Sequence, residues 1–141
     1  MLDPPDPATI VATIPRWLDR RPATGEAVLV GFTDNDPDLA VCLALHPEAD
    51  PFDELNAVRQ LVVDGAESVA ILRTTGAEPA PGGGRLGLPF LTACAERYGL
   101  EVLGVLVVVP PQRDRPGYFR SLPDPARYPL PPSYARTEES Q

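Results

Sequence analysis

Residues 68–109, SVAILRTTGAEPAPGGGRLGLPFLTACAERYGLEVLGVLVVV, decide the fold. The stretch opens with a short apolar run, Ser68 to Leu72, and closes with a longer one, Glu101 to Val109. Runs of that kind read as strands, the longer one as a central strand covered on both faces. Between them Pro89 stands where a helix can begin, Phe90, Leu91, Cys94, Ala95 and Tyr98 recur at helical spacing, and Gly99 ends the segment. From Thr74 to Gly84 the chain is Gly, Pro and Ala without periodicity, which predicts a mobile loop. Strands alternating with helices place helices on the faces of a sheet.

The preceding residues extend this pattern. Ala27 to Phe32 is a second continuous apolar run, and Leu39 to Leu45 alternates large side chains with Ala40, Cys42 and Ala44. The short polar turn between them, Asp34 to Pro37, predicts an antiparallel hairpin. Asp50 and Pro51 start a helix whose expected buried stripe is Phe52, Leu55, Val58, Leu61 and Val62, stopped by Gly65. Asp6 and Pro7 start an earlier helix with Ile10, Val11, Ile14, Trp17 and Leu18 on one face, which Pro15 is expected to kink or divide. Tyr118 to Leu122 adds an edge strand. Beyond it the prolines at 123, 125, 129, 131 and 132 predict an extended, disordered or surface-draped tail over 123–141. The expected fold is therefore one α/β domain over 1–122, a mixed sheet of four or five strands with an antiparallel hairpin and helices on the sheet faces.

Composition sets the outer bounds. A chain of 141 residues with 43% hydrophobic residues is the size of one domain with a core. A net charge of -8 argues against nucleic acid as a partner, because affinity for phosphates grows with each cation that displaces a counterion. All 12 cations are arginine and lysine is absent, a bias that reports a genome rich in G and C. No basic residue precedes an apolar run at Met1 to Pro7, and the longest apolar run, Val105 to Val109, is too short to cross a bilayer. A cytoplasmic protein without a membrane partner is expected.

The succession Ile14-Pro15 with Leu18, Val28-Leu29-Val30-Gly31, Leu55 through Gly65-Ala66 to Val69, then Leu91, Ala95, Gly99 and Val102, ending in Tyr118 and Ser121, resembles an actinobacterial family of domains of unknown function. The likeness spans about Ile10 to Leu122. It implies a fold and a high-GC host, and it transfers no catalytic residue.

Several motifs bear on chemistry. Gly82, Gly84 and Gly87, with Arg85 among them, spell G-x-G-x-x-G between a strand and a helix, where a helix amino end can hold a pyrophosphate. That fingerprint needs its first glycine directly after the strand, whereas the nine residues from Arg73 to Pro81 intervene, and Val107 to Val109 stand where an acidic ribose ligand belongs. The stretch therefore reads first as a flexible connector. Asp34, Asp36 and Asp38 begin like a calcium loop, but Leu39 replaces the required Gly and Leu45 the bidentate Glu. His46 is the sole histidine, which leaves no second imidazole for zinc, and Cys42 four residues earlier on a strand lies too far away for a catalytic pair. None of Ser68, Ser121, Ser133 and Ser140 has a nucleophile setting.

No catalytic residue, metal or cofactor is therefore expected. The candidates for contact are Arg73 and Thr74 at a strand exit, where open sheets collect ligands, and Tyr118, Phe119, Arg120 and Ser121, which concentrate aromatic and arginine side chains. These features point to a non-enzymatic protein-interaction or small-ligand module, its partner another protein or a second copy of the chain. The alternative is a nucleotide- or phosphate-binding enzyme built on Gly82, Gly84, Arg85 and Gly87 with Arg73 or Arg120. A third reading is self-assembly through an exposed edge strand such as Tyr118 to Leu122.

Overall fold

A computed structural model describes residues 3, 5–18, 25–46, 50–75, 88–111, 116–122 and 126–131. Among them the chain runs α1 (Pro7–Leu18), β1 (Ala27–Thr33), β2 (Asp36–Leu45), α2 (Pro51–Val63), β3 (Ser68–Thr74), α3 (Leu88–Arg97), β4 (Glu101–Val109), β5 (Tyr118–Ser121) and β6 (Tyr128–Pro129). The strands form one sheet in the order β2-β1-β3-β4-β5-β6. The pair β3–β4, joined through α3, is parallel, and every other pair is antiparallel. The architecture is the expected mixed α/β sheet, with six strands rather than four or five.

Each strand serves both faces because successive side chains point in opposite directions. Val28, Val30 and Phe32 of β1, Ala70 and Leu72 of β3, Leu106 and Val108 of β4 and Phe119 of β5 pack under Ile10, Val11 and Ile14 of α1. Leu29, Val69 and Ile71 face the other way, against Val58 and Leu61 of α2 and Leu91, Cys94 and Ala95 of α3. The sheet is thus covered by one helix on one face and two on the other.

Local chemistry accounts for the elements and for departures from the sequence reading. The β1–β2 turn is only two residues, Asp34 and Asn35, both at φ 56, the left-handed backbone that suits a tight hairpin and that these residue types tolerate. Consequently β2 starts at Asp36 rather than Leu39. The Asp53 N–H donates to Asp50 Oδ1 at 2.9 Å and the Asp50 N–H to Asp53 Oδ2 at 3.3 Å, closing a reciprocal cap on α2. At the start of α1 the Thr9 N–H donates to Asp6 Oδ1 at 2.8 Å. α1 continues through Pro15 undivided. The proline falls in the last turn, beyond the anchoring Ile10, Val11 and Ile14, so one missing backbone donor does not end the helix.

Phe52 does not belong to the buried stripe of α2: it is 74% exposed. At 100° per residue it lies opposite Leu61, nine positions on, which is fully buried. Val62 and Tyr98 are exposed as well. Strand β5 is not an edge, because β6 pairs beside it, Tyr118 with Pro129 and Phe119 with Tyr128. Part of the Pro-rich segment therefore joins the sheet.

Candidate functional site

Chain direction brings four element ends together. α2 leads back from the end of β2 to the start of β3, and α3 leads back from the end of β3 to the start of the parallel β4. The amino ends of α2 and α3 therefore meet the carboxyl ends of β3 and β4, the end at which ligands gather in open α/β sheets.

Sheet register then fixes which side chains stand there. Arg73 pairs with Ala27 on β1 and with Val107 on β4, and Val107 pairs with Arg120 on β5. Arg73, Val107 and Arg120 form one row, and their parity puts all three on the face of α2 and α3. With neighbouring strands 4.7–4.9 Å apart, the two arginine backbones are separated by about 10 Å, within the combined reach of their side chains. Tyr118, two residues before Arg120, shares that face, and the guanidinium of Arg127 lies 4.6 Å from its ring centroid.

Thr74, Phe119 and Ser121 turn to the α1 face. Phe119 is 2% exposed and stacks on Tyr128 with ring centroids 5.5 Å apart, so it is a core residue and not a contact residue. Thr74 is the last residue of β3 and is fully buried, its N–H bonded to the Glu26 carbonyl at 3.2 Å. Its Oγ1 makes no hydrogen bond, an arrangement that costs roughly 1–3 kcal/mol. β3 is therefore two residues longer than the apolar run implied. Gly82, Gly84, Arg85 and Gly87 lie outside the described residues, as does most of the loop expected from Thr74 to Gly84.

The electrostatics single out Arg73. It is half-buried, its Nη1 donates to the Gly25 carbonyl at a long 3.4 Å, and its Nε is buried without a hydrogen bond. Burial pulls the Arg73 pKa down while Glu54 of α2 opposes that shift, and an arginine keeps its proton throughout. Glu54 is pushed above the usual carboxylate value by burial, against the attraction of Arg73 and with a smaller push from Asp50. Glu54 is the site residue that motif reasoning missed. A signal existed, since Glu54 stands at i, i+4 and i+7 with Val58 and Leu61, a carboxylate on the buried stripe.

The thiols offer no nucleophile. Burial raises Cys42 to about 12, and it raises Cys94 with a further push from Glu54. Cys42 packs with the α1 face and Cys94 with the other, so the sheet separates the two free cysteines. His46 is exposed just beyond β2.

Among the described residues no helix is long and apolar enough to cross a membrane. No protein-family profile, curated protein or solved structure matches the chain.

Proposed function

We propose that this protein is a non-enzymatic small-ligand-binding module that holds an anion, a phosphate or carboxylate group, over the carboxyl ends of β3 and β4. The observation that carries this reading is the row Arg73–Val107–Arg120, which sets two arginines from distant parts of the sequence on one face. A guanidinium offers a planar fork of donors, and two of them approaching from either side of Val107 suit a group with several acceptor oxygens.

Two further features support it. α2 already satisfies its amino end with Asp50 and Asp53, whereas the first turn of α3 holds no acidic residue, so its dipole adds positive potential at that end. Arg73 also has a buried Nε with no bond of its own, a donor that a ligand oxygen can satisfy. The nucleotide-binding enzyme reading would need the segment 82–87 in addition, and no observation favours it.

Thermal unfolding against inorganic phosphate, sulfate, citrate and nucleotides tests the proposal. Binding to the folded state stabilises by RT ln(1 + [L]/Kd), about 2.7 kcal/mol at a hundredfold excess over Kd, which is readily seen as a rise in Tm. A rise with one anion class that Arg73→Gln and Arg120→Gln each abolish is expected. A flat response to all of them would overturn the proposal.

A further inference from the structure

The arginine row does not end at Arg120. β6 pairs with β5 so that Tyr118 stands beside Pro129 and Phe119 beside Tyr128, and one further step in that register brings Arg127 beside Arg120. With Arg73, Val107 and Arg120 already in line, Arg127 is the fourth member of the row and its third arginine. At a strand spacing of 4.7–4.9 Å, the Arg127 backbone lies about 5 Å from that of Arg120 and about 14 Å from that of Arg73.

Side-chain contacts fix the face on which Arg127 stands. Phe119 belongs to the α1 face and Tyr128 stacks on it, so Tyr118 and Arg127, each one residue away, turn to the face of α2 and α3. Leu122, of the same parity as Tyr118 and Arg120, packs with the cluster on that face. There the Arg127 guanidinium lies 4.6 Å from the Tyr118 ring centroid. A guanidinium held by its flat face against a ring directs its N–H donors outward in its own plane, toward acceptor oxygens. The Tyr118 ring thus positions Arg127 beside the anion site.

Three arginines exceed what one anionic group needs. A single group over Val107 occupies the forks of Arg73 and Arg120, and Arg127 stands on the far side of Arg120 from it. Cations directly opposite one another on neighbouring strands repel, and an anionic group between them reverses that effect. In a chain with 20 acidic against 12 basic residues, three arginines in four row positions are a local excess of the opposite sign.

We infer that the site takes a ligand with two anionic groups joined by a short spacer, a diphosphate or a dicarboxylate, one group held by Arg73 and Arg120 and the other by Arg120 and Arg127. The inference rests on the anion site proposed above and narrows its ligand class.

Isothermal titration of phosphate, pyrophosphate, acetate and succinate into the full chain reads the outcome. Pyrophosphate is expected to bind at least tenfold more tightly than phosphate, or succinate than acetate, and the pair that shows the advantage identifies the anion. Arg127→Gln, at an exposed position, is expected to remove that advantage. Arg97→Gln, which deletes the same charge in the last turn of α3 at the opposite end of the sheet, is expected to keep it. Tyr118→Leu leaves every charge in place and is expected to reduce the advantage through the lost ring, so it decides by the same ratio if Arg127→Gln loses its folded circular dichroism spectrum. Equal affinity for one-group and two-group anions, an advantage that survives Arg127→Gln, or one that Arg97→Gln removes equally, overturns the inference. Phosphate or acetate binding that depends on Arg73 and Arg120 then leaves the single-anion site standing, whereas binding of none of the four overturns both.

Discussion

The two faces of the sheet are built from the same strands and do different work. Under α1, the layer of Ile10, Val11, Ile14, Val28, Phe32, Leu72, Leu106 and Phe119 is apolar and closed. Under α2 and α3 the middle is equally apolar, with Leu29, Ile71, Val58, Leu61 and Leu91, but the row at the carboxyl end holds Arg73 and Arg120 with Glu54 nearby. One strand can supply Leu72 to the core and Arg73 to the candidate site because adjacent residues face opposite ways. Charge enters on the face where two helix amino ends converge, and the α1 face carries the packing.

That contrast can be broken from the packing side first. Phe119→Ala is expected to have the largest effect, a loss of about 3–5 kcal/mol, because it empties a fully enclosed site on the α1 face. Urea unfolding measures it, and the folded fraction should bind anions as the wild type does. Gly31→Ala comes next, at about 1–3 kcal/mol. A Cβ there would stand 2.9 Å from both Ala66 Cβ and Leu61 Cδ2, so α2 could not keep its present approach to β1. Asp6→Ala should cost about 1 kcal/mol through the lost cap on α1. The Thr9 N–H bond holds the Asp6 pKa below its ordinary value, so this contribution is present above pH 3.8 and is lost as pH falls through the lowered pKa.

The smallest stability effect belongs to the charged face and has the opposite sign. Glu54 has a raised pKa in the fold, so its ionisation at neutral pH works against the folded state, and that penalty disappears below its unfolded value of 4.5. Glu54→Gln is expected to raise Tm slightly at pH 7, with the gain vanishing as the pH is lowered toward 4.5. The same change sharpens the functional side of the comparison. Sulfate does not titrate in this range, so its affinity for the wild type should rise as Glu54 protonates and frees Arg73, and Glu54→Gln should remove that pH dependence. A pH-independent sulfate affinity in the wild type would separate Glu54 from the site.

Much of the fold was legible because its signals are local. The hairpin lay in two apolar runs around an Asp-Asn turn, α2 in Asp50-Pro51 and Gly65, and the α3–β4 unit in residues 88–109. β6 was not, because Tyr128-Pro129 carries the composition of an extended tail and becomes a strand only through the neighbouring Tyr118 and Phe119. Phe52 misled for a related reason: hydrophobicity alone does not assign a helix face, and its phase relative to Leu61 does. At the candidate site, Arg73 and Arg120 were legible one at a time as a strand exit and an aromatic-arginine cluster. Their common row depends on β5 returning beside β4 in one particular register, which the intervening segment does not encode locally.

Joint capture of one anion by Arg73 and Arg120, as proposed, requires that the two side chains contribute to the same binding event. Isothermal titration of sulfate into the wild type, Arg73→Gln, Arg120→Gln and the double variant tests it most directly. Each single change is expected to weaken binding at least tenfold, and the double variant to lose less than the product of the two. Wild-type affinity in either single variant, with its fold intact, would contradict it.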